Sequence, residues 1–206
     1  MPNWCNNVVE LSHEDPKMME RAVKSFNDGS FLNEFVPVPK ELNIVAGRLG
    51  DIAEQEALEK QQEENLKKFG YSTWYDYCVN EWGTKWDIEP YEPVTLGEDG
   101  RLTMSFDSAW SPPINAYEKL VDLGFSVRAY YNECGMAFAG IWDDGFDDFY
   151  EYGGYTSAQI AEELPEELDD MFGISLSAAE WEAENEEDLD DTPHEFSTEG
   201  KFTLED

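Results

Sequence analysis

Positive charge is what this sequence has least of. Its 206 residues carry 13 Lys and Arg against 47 Asp and Glu, a formal net charge of −34. Residues 1–140 contribute −12 of this and residues 141–206 the other −22, with Lys201 the one Lys or Arg in that last stretch. A field of that sign opposes direct binding to nucleic acid or an anionic membrane, both polyanions, and favours a basic partner. Cysteine is scarce as well. Cys5, Cys78 and Cys134 are odd in number and widely spaced, which argues against a disulfide framework and for a reducing compartment. The opening Met-Pro-Asn-Trp has neither a basic nor an apolar segment of signal-peptide type. No apolar run approaches the roughly 18 residues of a membrane helix. The expectation is a soluble intracellular protein.

Catalytic signatures are missing too. The sequence holds no glycine-rich phosphate loop, no G-x-S-x-G, no H-E-x-x-H and no C-x-x-C. Its two histidines, His13 and His194, are poor material for a catalytic or zinc constellation. A metal site from Cys5, His13, Cys78 and Cys134 has no ligand spacing behind it, and buried structural cysteines are the simpler reading. Calcium at Asp143–Asp148 does not fit the EF-hand pattern. The reading is a protein that is not an enzyme, with no catalytic residue, cofactor or metal.

What is present suffices for a packed core: 41% apolar residues, 14% of the chain aromatic. Val8, Val9 and Leu11 predict a first strand over residues 3–12, and Asp15-Pro16 caps a helix over 16–28 with one apolar face. Two prolines make 31–42 an edge strand or extended loop. Strong helix formers predict a largely solvated helix over 51–69, followed by a short buried one over 71–81. The stretch Trp82–Pro113 holds three of the seven tryptophans, and Asp99-Gly100 within it suggests a central hairpin over 85–110. An amphipathic helix over 113–123, ended by Gly124, precedes strands at 125–131 and 136–142. Beyond lie 143–154, alternating acids with aromatics, a helix over 156–171 interrupted near Pro165, a weakly anchored helix over 177–191, and a terminal strand pair about Glu199-Gly200. The fold class is α+β, helices on one face of an antiparallel sheet.

The opening MPNWCNN, then NEWGTKWD at 80–87, SAWSPP at 108–113 and YNECGMAFAG at 131–140 resemble the YubB-like family, small proteins encoded by bacteriophages and conjugative plasmids. The resemblance covers about residues 1–142. It implies a ferredoxin-like domain over 1–142, with a helical insertion at about 43–70, and a setting in the cytoplasm of a bacterial host. It brings no activity and no functional residues. The acidic stretch 143–206 is then a C-terminal extension to that domain.

Two groups of residues are candidates for binding. Carboxylates on a rigid scaffold can imitate a nucleic acid and steer in a basic, nucleic-acid-binding host protein, for instance a defence nuclease. The candidates are Asp143, Asp144, Asp147, Asp148, Glu162, Glu163, Glu166, Glu167, Asp169, Asp170, Glu184, Glu186, Glu187 and Asp188. The plain alternative is a solvated acidic tail, against which stand anchors such as Phe146, Phe149, Tyr152, Leu164, Ile174 and Trp181. The second group is Trp82, Lys85, Trp86, Asp87, Trp110, Arg128, Tyr131 and Glu133, with Asp107, Ser111 and Asn132 nearby. These sit at predicted strand ends and could wall an aromatic pocket that sequesters a nucleotide-like defence signal, with Lys85 or Arg128 meeting its anion. The same tryptophans also read as turn and core residues.

Overall fold

The computed structural model describes residues 3–190. It resolves into two units, Met1–Gly153 and Gly154–Asp206. The first is built on an open, five-stranded, wholly antiparallel sheet in the order β2-β1-β3-β4-β5. Its strands are β1 (Trp4–Ser12), β2 (Leu102–Ala109), β3 (Ser126–Glu133), β4 (Phe138–Asp143) and β5 (Phe146–Glu151). The central strand β1 pairs on one side with β2, Trp4 opposite Ala109, and on the other with β3, Asn6 opposite Asn132. The connection from β2 to β3 runs through helix α5 (Ile114–Asp122) and passes over β1.

The period-2 alternation of the strands places one set of side chains in the core. Cys5, Val9 and Leu11 of β1 pack with Leu102, Met104 and Phe106 of β2 and with Val127, Ala129 and Tyr131 of β3. Helix α1 (Pro16–Asn27) adds Met19, Ala22 and Phe26, and α5 adds Ala116, Tyr117 and Leu120, each at the 3-4 spacing that makes one apolar stripe. Asp15 accepts from Lys17 N as the N-cap of α1. The long helix α3 (Ile52–Phe69) buries only Leu58 and Asn65, in keeping with its expected solvation, and Gly70 ends it at φ 82°. Asn65 Nδ2 bonds the carbonyls of Glu41 and Ser72, tying α3 to both flanking segments. Helix α4 (Trp74–Glu81) follows.

Two expectations are corrected. Residues 31–42 form no strand: Phe31–Phe35 is a short helix, α2, and Lys40–Leu42 a 3₁₀ turn. The helix wins because Phe31, Leu32 and Phe35 bury one face together, while the Asp87 carboxylate accepts from the first-turn amides of Leu32 and Asn33. The hairpin expected over 85–110 keeps only its second strand. Gly97–Gly100 does turn, Gly97 N donating to Arg101 O at 2.8 Å, but 85–101 carries Pro90 and Pro93, which lack the amide a ladder needs. That segment is held instead by Asn27, whose side chain both donates to Val94 O and accepts from Val94 N. The strand β2 pairs with β1.

A strand absent from the sequence reading, β5, extends the sheet to Glu151 and puts the unit boundary after Gly153 rather than after residue 142. It follows a two-residue turn in which Asp144 and Gly145 both have positive φ, 43° and 105°, as a type I′ hairpin demands.

The second unit holds α6 (Ser157–Glu163), α7 (Glu166–Phe172) and α8 (Ile174–Asp190). Pro165 separates α6 from α7, and Gly173, at φ 61°, separates α7 from α8. Thr156 and Gln159 form a capping box at the start of α6. Glu182 of α8 accepts from both the amide and the hydroxyl of Ser157, which fixes α8 against the start of α6. Among the described residues no helix is long and apolar enough to cross a membrane. The strand pair expected about Glu199-Gly200 lies outside the described residues, as do His194 and Phe196.

Candidate functional site

A cleft of about 520 Å³ opens where α4 and the following turn face the segment after α2. Trp74, Trp82 and Trp86 wall it, Asn33 and Asn43 contribute amides, and Lys40, Lys85 and Asp87 are its charged groups. Trp82 is held rigidly, 4% exposed, its indole N–H donating to Val36 O at 2.8 Å. Lys85 lies among rings. Its Nζ sits 4.3 Å from the centroid of Trp86, 5.6 Å from Trp110 and 5.7 Å from Tyr75. Such a cage holds an ammonium through the ring quadrupoles. Asp87 is not a free anion: its carboxylate accepts from the amides of Leu32, Asn33 and Ile88. Burial pushes its pKa up, against the lowering by those three amides.

The backbone carrying Trp110 is unusual. Its φ is 69°, a conformation that costs an aromatic residue energy, and it holds because Trp110 N donates to Asn3 O at 2.9 Å. Next to it, Thr84 Oγ1 donates to Ala109 O and accepts from Ala109 N, while Ser111 donates to Gly83 O. These bonds fasten the Trp82–Asp87 turn to the end of β2.

The candidate pocket residues therefore divide. Trp82, Lys85, Trp86 and Asp87 share the cleft, and Trp110 joins them through Lys85. Three others are placed elsewhere. Tyr131 is buried in the core, its hydroxyl donating to Asp147. Glu133 is buried at the β3–β4 turn, where its oxygens accept from Gly135 N and Met136 N. Arg128 lies at the far end of β3, 3.7 Å from Asp143 and over the Tyr130 ring. Asn132 accepts from the Tyr152 hydroxyl. Trp74, Lys40 and Asn43 join the cleft without any signal in sequence spacing, because the turns around α2 and α4 deliver them from separate segments.

The acidic candidates divide in the same way. Asp144 accepts from Val127 N at 2.7 Å and from the Ser126 hydroxyl, so it serves the β4–β5 turn. Asp169 accepts from Ser175 N and its hydroxyl at the junction of α7 and α8. Glu162, Glu163, Glu166, Glu167, Asp170 and Glu184 are exposed on the second unit, and Asp148 is exposed on β5. Glu186, Glu187 and Asp188 lie on α8. Of the expected apolar anchors, Tyr152, Leu164 and Ile174 are buried, whereas Phe146, Phe149 and Trp181 are exposed. Cys5 and Cys78 are buried in the core and Cys134 is exposed; among the described residues no three His, Cys, Asp or Glu side chains are grouped to hold a metal.

No family model and no curated protein matches the chain. Among solved structures it is similar to protein api92 from Yersinia pseudotuberculosis, described with the family model DUF1281. That likeness covers 75% of this chain and 99% of that one, at 13% identity and a TM-score of 0.36.

Proposed function

We propose that this is a non-catalytic binding protein whose second unit presents a polyanion to a basic, nucleic-acid-binding protein. The observation that carries the reading is the placement of charge on a folded scaffold. Residues 154–185 include nine Asp and Glu and no Lys or Arg. Neither α6 nor α7 has a cation in its last turn, although Glu162, Glu163 and Asp170 crowd those ends, and none of the three is spent on a junction as Asp169 is. Carboxylates at helix C-termini oppose the helix dipole, so stability alone does not account for them. The mobile-element setting and ferredoxin-like domain that the sequence resemblance implies make a host nuclease the first partner class to test. The β2–α5–β3 connection around β1 supports the domain reading.

The test compares the full chain with a Glu162→Gln, Glu163→Gln, Glu166→Gln, Glu167→Gln variant as baits for purified nucleic-acid-binding proteins of the host. Capture by the parent at low salt, competition by duplex DNA and release by about 0.5 M salt are the expected outcomes. Equal capture by the variant overturns the reading.

The 520 Å³ cleft favours a second reading, the sequestration of a nucleotide-like ligand. In a chain so acidic, its two lysines, Lys40 and Lys85, sit beside three indole walls. Stabilisation by a nucleotide in a thermal-shift panel, lost in Lys40→Ala, is the expected result. No shift with any member removes this reading.

A further inference from the structure

Trp86 walls two clefts, and their charges are opposite. The cleft described above has Lys40 and Lys85 in its lining. The other, of about 550 Å³, is lined by Trp4, Trp86 and Tyr91 with Asp87, Glu89 and Asp107, and by no Lys, Arg or His. We propose that this second cleft binds a guanidinium group, the arginine side chain of a partner protein.

The argument begins with Asp107. Asn6 Nδ2 donates to its Oδ1 at 2.6 Å and the Tyr91 hydroxyl donates to the same oxygen at 2.5 Å. The carboxylate is thereby locked in orientation, while Oδ2, used by neither bond, keeps its lone pairs for another donor. Glu89 supplies a second carboxylate, whereas Asp87 is already bonded by three amides. Beside these charges stand two accessible indoles: Trp4 and Trp86, ring centroids 6.0 Å apart, are 46% and 40% exposed.

A fixed carboxylate beside exposed rings matches a guanidinium better than other cations. The guanidinium is planar, stacks on an indole, carries five donors and is weakly hydrated. An ammonium is a compact, strongly hydrated point charge that gains less from a flat wall. One of the two rings already holds a cation within the molecule, since Lys85 Nζ lies 4.3 Å from the Trp86 centroid, which leaves Trp4 and the opposite side of the cleft for an incoming one. An anion finds no counter-charge in this lining. The site belongs to the first unit and stands independently of the acidic helices.

The probe is acetyl-Gly-Arg-Gly-amide titrated into the full-length protein, followed by the indole N–H signals of Trp4 and Trp86 and the backbone amides of 154–185. Saturable movement of both indoles is expected, with the citrulline analogue inert and the lysine analogue several-fold weaker. Asp107→Asn should weaken binding about tenfold, the loss of one charge-assisted hydrogen bond. Trp4→Leu, at an exposed position, gives an independent variant with the same expected loss. Static indoles, equal binding by citrulline or lysine, or shifts confined to 154–185 each overturn the proposal.

Discussion

The Tyr131 hydroxyl reaches across Gly140 to donate to Asp147 Oδ1 at 2.8 Å, linking β3 to β5 over the strand between them. The link exists because residue 140 has no side chain. A Cβ there would stand 2.2 Å from the Tyr131 oxygen and 2.7 Å from the backbone oxygen of Asp148. Gly140→Ala is therefore expected to destabilise the protein by about 3 kcal/mol, the upper end of overpacking costs. Because backbone is one of the clashing groups, adding Tyr131→Phe should not restore stability. Denaturant midpoints of the single and double variants check this.

Asp147 also makes stability depend on pH. The residue as a whole is exposed, but desolvation of its carboxyl group raises its pKa above the usual carboxylate value; the Tyr131 hydrogen bond opposes this, and Asp148 adds to it. A folded-state pKa above the unfolded value means the folded protein holds the proton more tightly. The stability so gained is complete at low pH and is lost as pH rises through the raised pKa. Asp147→Asn keeps an acceptor for Tyr131 and has no charge to desolvate. It should be at least as stable as the parent at pH 7, with the difference disappearing as pH falls below the ordinary Asp range. A variant less stable at pH 7 than at pH 3, relative to the parent, contradicts the assignment.

The cysteines give a third prediction. Burial pushes the thiols of Cys5 and Cys78 up to about 12, the latter helped by the Asp87 charge, so neither has appreciable thiolate at neutral pH. Cys134 is exposed. Iodoacetamide on the native protein should label Cys134 alone, and all three after unfolding. Native labelling of Cys5 by mass spectrometry would show that the β1 core opens locally.

How far the sequence reveals this molecule is clearest at two of its three Asp-Gly pairs, Asp99-Gly100 and Asp144-Gly145. Asp99-Gly100 signals a hairpin and makes only a turn, because Pro90 and Pro93 deny the preceding segment its ladder. Asp144-Gly145 carries the same signal between strands free of proline and makes the hairpin, yet the run of acids after it concealed β5. Local chemistry was legible where it acted locally: the Asp15 cap, the amphipathic stripes of α1 and α5, the break at Pro165. The site was legible only in part. Trp82, Lys85 and Trp86 share one turn, whereas Trp4, Trp74 and Lys40 reach the clefts through tertiary pairing that no spacing encodes. Tyr131 and Glu133 carry the residue types of a site and are spent on the core and a turn.

Trp82 and Trp110 can be sorted by stability. Trp82 is buried and bonded to Val36 O, so Trp82→Ala removes a large packed side chain and orphans an acceptor, which costs about 3–5 kcal/mol. Trp110 is 42% exposed at φ 69°. Glycine there relieves roughly 1–2 kcal/mol of backbone strain. Against this stand about 0.5–1 kcal/mol of added chain entropy in the unfolded state and about 0.5 kcal/mol for the contact with Lys85. The amide bond to Asn3 O survives the change. Trp110→Gly should therefore leave stability within about 1 kcal/mol of the parent. A loss as large as that of Trp82→Ala, measured by urea unfolding, would make Trp110 a core residue. The expected small change marks Trp110 as an exposed indole on which folding does not depend, in contrast to Trp82.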